Sequence, residues 1–147
     1  MTLRGVRGAT CLQANDAAEM REAVGELLTA MMARNAISSD HVVSVILTGT
    51  PDLTCAFPAA GARAIGLVDV PLLCAQEMGV DGALERVVRV LMHIETPADP
   101  ALQRELMFSP RFHDVDRLID AIPPAILPYA QIADVARVIQ TEVRASD

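Results

Sequence analysis

Glu77 closes the run Val70-Pro71-Leu72-Leu73-Cys74-Ala75-Gln76 and stands twelve residues ahead of Arg89. A carboxylate placed directly after a run expected to be buried needs a partner, because stripping the partner from a buried charge costs about 3–5 kcal/mol. That partner is a side chain or a ligand, and the cationic residues present suit anion chemistry. All twelve basic residues are arginine, whose planar fork holds carboxylates through two parallel N–H bonds. Genome composition accounts for the missing lysine equally well, so position has to decide.

Other chemistries find little support. Cys11, Cys55 and Cys74 are odd in number and far apart, which suggests neither a disulfide framework nor a zinc knuckle. His41, His93 and His113 fall in separate elements, and a cysteine ending an apolar strand, as Cys74 does, is ordinarily packing rather than a nucleophile. Neither Gly-x-x-x-x-Gly-Lys nor Gly-x-Gly-x-x-Gly occurs, so the usual nucleotide cradles are missing. A net charge of −7 without any arginine run argues against nucleic acid or an anionic membrane surface. No apolar run approaches the roughly 20 residues that span a bilayer, and Met1-Thr2-Leu3-Arg4-Gly5 carries no apolar signal core. The expectation is a cytoplasmic protein binding something small, or another protein.

The elements that must position Glu77 and Arg89 are legible in outline. With 147 residues, 52% of them apolar, the chain is long enough for one domain with a core. Leu3 to Cys11 reads as a first strand, with Gly5 and Gly8 permitting close approach of another backbone or a ligand. Asp16 and Glu19 form a capping-box-like pair ahead of a helix whose Met20, Val24, Leu27, Leu28 and Met31 repeat at helical spacing, ending near Asn35 in a left-handed cap. His41 to Thr48 is nearly continuously apolar and predicts a central strand, stopped at Thr50-Pro51-Asp52. A short helix over Ala59 to Ile65, closed by Gly66, precedes a strand expected at Val68 to Cys74. The β-branched density of Val87, Val88, Val90 and Ile94 makes Ala83 to Glu95 mostly strand, with Arg89 on the face of Val87, Leu91 and His93. After Thr96, where six of the nine prolines lie, a helix to about Phe108 and two more over Val115 to Ile122 and Ile132 to Val143 are predicted. Residues 1–107 then form an α+β domain, a mixed β-sheet with a long helix on one face, and residues 108–147 a helical C-terminal extension.

Four blocks in order resemble the monofunctional AroH-class chorismate mutases: Arg4-Gly5-Val6-Arg7-Gly8-Ala9-Thr10; Thr50-Pro51-Asp52-Leu53; Phe57-Pro58-Ala59 through Arg63; and Val70 through Glu77 followed by Val88-Arg89-Val90. The similarity runs from about Leu3 to Thr96. It implies a trimeric, barrel-like assembly with clefts between subunits, which rearranges chorismate to prephenate without cofactor or metal. By the same resemblance the catalytic set is Arg89, Glu77 and Arg7, and the substrate-binding set Phe57, Ala59, Arg63, Leu72, Leu73 and Cys74. Arg89 would meet the ether oxygen and a carboxylate, Arg7 a carboxylate, Glu77 and the Cys74 backbone the ring hydroxyl, and Phe57 would form an apolar wall. An ordinary ion pair between Glu77 and one of these arginines is the alternative use of that carboxylate.

The chain also departs from the family pattern. Ala60 stands where relatives commonly carry lysine, and Met107 of Glu105-Leu106-Met107-Phe108 stands where a His-Val-Tyr-Leu strand supplies tyrosine. Nothing beyond Ser109 matches. These departures keep two further expectations open: catalysis on another chorismate-like dianion, and a non-catalytic protein that binds a small dianion or a partner through its tail.

Overall fold

The computed structural model describes residues 1–97, 107 and 108. Strand β1 (Thr2–Cys11) leads into helix α1 (Ala17–Arg34), and one 3-10 turn precedes β2 (Val42–Gly49). Helix α2 (Ala59–Ala64), β3 (Leu72–Gln76), β4 (Val87–Thr96) and the two-residue β5 (Met107–Phe108) complete the order. The strands form one mixed sheet, β3-β2-β4-β1-β5. β4 runs antiparallel to both β1 and β2, whereas β2/β3 and β1/β5 are parallel pairs.

Alternation along β4 decides where the core lies. Val88, Val90, Met92 and Ile94 are buried against α1, together with Val6 of β1 and Val45 and Leu47 of β2. The helix supplies Met20, Val24, Leu27, Leu28 and Met31, the stripe expected from the sequence. Among the described residues α1 covers one face of the sheet, with Ala59 and Ala62 of α2 joining the same core. The opposite face carries Arg7, Arg89, His93 and the exposed Leu3 and Leu73.

Helix α1 begins as expected: the Asp16 carboxylate accepts from the Glu19 amide at 2.8 Å. The Glu19 carboxylate accepts from the amides of Gln13 and Ala14 rather than from that of Asp16, so it fixes the approach to the helix. At the other end Asn35 is not left-handed (φ −106°); its side-chain amide donates to the Met31 carbonyl at 2.8 Å. Ala36 takes the left-handed turn instead (φ 50°).

Three further expectations are corrected. The strand expected over Val68 to Cys74 begins only at Leu72 and reaches Gln76; Pro71 has no amide to donate, and its carbonyl opens the ladder by accepting from Val45. β4 starts at Val87 because Arg86 is left-handed (φ 55°), which ends the irregular stretch before it. The segment Val70 to Glu77 is not a buried run. β3 is an edge strand of the described sheet, so Leu73 is 61% exposed, while Val70, Leu72 and Cys74 pack toward the core only in part.

Met107 and Phe108, expected at the end of a helix, pair as a strand with Gly8 and Ala9. The remaining predicted helices, and the rest of the expected C-terminal extension from Ser109 on, lie outside the described residues.

The two helices touch through glycine. A Cβ on Gly61 would lie 2.6 Å from Val24 Cβ and 2.8 Å from the Arg21 carbonyl oxygen. Overpacking of this kind costs about 1–3 kcal/mol, and a backbone carbonyl cannot move aside. Gly61→Ala is therefore expected to lower the thermal midpoint despite the roughly 1 kcal/mol that alanine gains over glycine in a helix; a scan of both proteins checks it.

Candidate active site

Arg89 faces away from the core because its neighbours Val88 and Val90 face into it. Across the ladders it pairs with Ala9 of β1 and Thr48 of β2, while Arg7 pairs with Leu91. Arg7 and Arg89 are thus diagonal neighbours on one face, the relation in which long side chains reach the same ligand. Glu77 extends the β2/β3 ladder by one bond, its amide donating to the Gly49 carbonyl at 2.9 Å. That bond brings its carboxylate back over the sheet to Arg89.

Glu77 and Arg89 form an ion pair through Oε2 and Nη1. The second oxygen, Oε1, accepts from the Thr48 hydroxyl at 2.7 Å. The Glu77 side chain is 17% exposed and that of Arg89 is 47% exposed, so the carboxylate is the more enclosed partner and the guanidinium faces outward. The carboxylate that the sequence left in search of a partner has two.

A web of hydrogen bonds fixes the start of β4, two residues before Arg89. The Arg86 amide donates to Asp52 Oδ2 at 2.8 Å, and its Nε donates to the Leu12 carbonyl at 3.1 Å. The Val87 amide donates to the Thr50 hydroxyl at 3.1 Å, and the Thr50 amide returns a bond to the Val87 carbonyl at 3.0 Å. The Thr50-Pro51-Asp52 turn therefore ties the end of β2 to β4 and, through Arg86, to the end of β1. Cys11 sits at this junction; burial, the largest influence, pushes its thiol pKa up, and the thiol donates to the Leu12 and Glu85 carbonyls.

Phe57, Arg63 and Cys74 lie elsewhere. They line a cleft of about 760 Å³ with Leu53, Cys55 and Ala60. Asn15 holds the loop that forms its wall, accepting from the amides of Thr54 (3.0 Å) and Cys55 (2.9 Å) and donating to the Thr54 hydroxyl. Phe57 is 76% exposed at the rim. Ala59 belongs to the core rather than to the cleft, and Leu72 packs against that core. Leu73 points to the face that carries Arg89.

One chain therefore holds two separate groups: the Arg7–Glu77–Arg89 face and the Phe57–Arg63–Cys74 cleft. Thr48 and Asn15 were not among the residues expected from the sequence. Thr48 becomes visible only once β2 and β4 are in register, and Asn15 only once its loop partners are placed.

A family model described as "Chorismate mutase type I" matches residues 3–107, well over half of the chain. The chain belongs to that family. It is 45% identical over 100 residues to Chorismate mutase AroH of Thermus thermophilus, covering 66% of this chain and 82% of the relative. With Chorismate mutase AroH of Bacillus subtilis (strain 168) the identity is 37% over 97 residues, 65% of this chain and 76% of the relative. A solved structure of chorismate mutase from Clostridium thermocellum superimposes with a TM-score of 0.68 at 36% identity, covering 71% of this chain and 93% of that one. The match to residue 107 extends past Thr96 and takes in the start of β5.

In this type I chorismate mutase fold, Asp52→Ala removes the acceptor that holds the left-handed Arg86. The expected cost is about 1 kcal/mol in stability, with faster amide hydrogen exchange at Arg86 and Val87 than in the parent protein.

Proposed function

We propose that the chain catalyses the intramolecular Claisen rearrangement of chorismate to prephenate, as an isomerase of the type I chorismate mutase family. The observation that carries the reading is Arg89, held outward on a rigid central strand and paired at one point with Glu77.

The reaction breaks a C–O bond as it makes a C–C bond, so it calls for neither a nucleophile nor proton transfer. It does call for a compact substrate conformer. Holding reacting atoms in a near-attack geometry lowers a barrier by several kcal/mol, up to roughly 7–11 in favourable cases. Arg7 and Arg63 are the carboxylate clamps, and Phe57 gives the apolar wall against which the ring packs. Glu77 and the Cys74 backbone orient the ring hydroxyl.

Negative charge grows on the ether oxygen as the C–O bond lengthens. A fixed cation there stabilises the transition state more than the ground state. Arg89 supplies it, and an arginine remains charged when substrate covers it. Ala59, Leu72 and Leu73 contribute through backbone and strand position, since two of their side chains pack inward and Leu73 faces the sheet surface.

The assembly we infer is a homotrimer with sites between subunits. Its support is the separation of the two groups: the cleft of Phe57 and the face of Arg89 meet around one ligand when one copy offers its cleft to the next copy's cations. Exposed Leu73, Phe57 and Met78 supply apolar surface for that contact. Among the described residues no helix is long and apolar enough to cross a membrane; a cytoplasmic location is the reading consistent with this.

Ala60 lines the cleft and brings no charge to it, which favours, as a second reading, a preference for another chorismate-like dianion. Product identification by mass and NMR separates the two.

Purified protein is expected to consume chorismate and yield prephenate. Arg89→Ala should lower kcat by about 10²–10³ while circular dichroism and thermal midpoint stay near those of the parent; unchanged turnover sinks the role given to Arg89. Light scattering at micromolar concentration is expected to give three times the chain mass, and a monomer there contradicts the assembly.

A further inference from the structure

Thr48 lies outside every sequence block that resembles the family, yet it touches the candidate catalytic pair. Its hydroxyl donates to Glu77 Oε1 at 2.7 Å. The other oxygen, Oε2, takes one hydrogen bond, from Arg89 Nη1. Thr48 is also the register partner of Arg89 across β2 and β4, so hydroxyl and guanidinium rise side by side from one face.

A carboxylate beside a guanidinium commonly settles into two parallel bonds. Only one is present between Glu77 and Arg89, and Oε1 is turned to the Thr48 hydroxyl instead. The difference matters for chemistry. A guanidinium has five N–H donors and accepts nothing; a two-point contact with Glu77 would occupy a second donor and turn the fork toward β3. With one-point contact Arg89 keeps its charge and most of its N–H groups remain outward, where a substrate oxygen is met.

We propose that Thr48 is a positioning residue: its hydroxyl holds Glu77 in one-point contact with Arg89 and so keeps guanidinium donors available to the substrate. The inference rests on the reading of Arg89 as the cation for the ether oxygen. It predicts a loss confined largely to the transition state, since ground-state binding by Arg7, Arg63 and Phe57 does not pass through Thr48.

Thr48→Val removes the hydroxyl while keeping a β-branched residue suited to a strand, and Thr48→Ser keeps the hydroxyl. In Thr48→Val, kcat for chorismate is expected to fall roughly ten- to a hundredfold, the usual effect of losing a hydrogen bond to a charged group. KM should stay within about threefold of the parent. Thr48→Ser should recover most of kcat, and both variants should melt within a few degrees of the parent.

Crystal structures of the two variants read the geometry without any assay. Thr48→Val should show the Glu77 carboxylate swung onto two N–H groups of Arg89, and Thr48→Ser the one-point contact. An unchanged kcat in Thr48→Val, an equal loss in Thr48→Ser, a loss carried by KM alone, or a retained one-point contact in the valine variant each overturns the proposal. A parent protein inactive on chorismate sinks the proposed function instead, and the crystal structures then still decide whether Thr48 sets the contact.

Discussion

Because β4 is hydrogen-bonded to β1 on one side and to β2 on the other, its side chains have no freedom to choose a face. Val88, Val90, Met92 and Ile94 must enter the core beneath α1, and Arg89 must then leave it. Turning Arg89 inward would require a one-residue slip that exposes four buried apolar side chains together. The direction of the guanidinium is thus set by burial elsewhere in the same strand. Neither the ion pair with Glu77 nor the bond from Thr48 is needed to hold Arg89 out of the core. Those contacts refine its aim.

The division of labour across the sheet follows from the same alternation. One face is dry and helix-covered, and stability resides there. Among the described residues the other carries Arg7 and Arg89, whose charges would be costly to bury under the helix. The cleft lined by Phe57, Arg63 and Cys74 opens at the edge of this arrangement, between the loop held by Asn15 and the strand β3. Asn15 braces the loop wall and Asp52 and Thr50 the start of β4, and Thr50 lines the cleft as well, so it is common to both parts.

How much of this could be read from residues alone depended on whether the information was local. The stripe Met20, Val24, Leu27, Leu28 and Met31 announces α1 because helical periodicity is a short-range property, and the Asp16 cap is likewise contained in four residues. An ion pair between Glu77 and an arginine was the alternative the sequence left open for that carboxylate, and Glu77 and Arg89 do meet. Burial of Val70 to Glu77 was misjudged because an apolar strand looks the same in the middle of a sheet and at its edge; only the neighbours differ. Met107 and Phe108 follow a helical pattern locally, and their strand state comes from pairing with Gly8 and Ala9 at the far end of the sequence. Thr48 was invisible for a similar reason: its significance is a register, and registers belong to pairs of strands.

The edge position of β3 has a consequence for the behaviour of the chain in bulk. Among the described residues β3 pairs on one side alone, and a strand edge beside an exposed leucine is the usual seed for runaway strand addition. Here the hazard is bounded at both ends. Pro71, immediately before the strand, withholds an amide, and Glu77, immediately after it, sets a charge at the point where a longer template would continue. The residue that aims at Arg89 is therefore also a gatekeeper, and exchanging it for an apolar residue would trade colloidal stability along with chemistry.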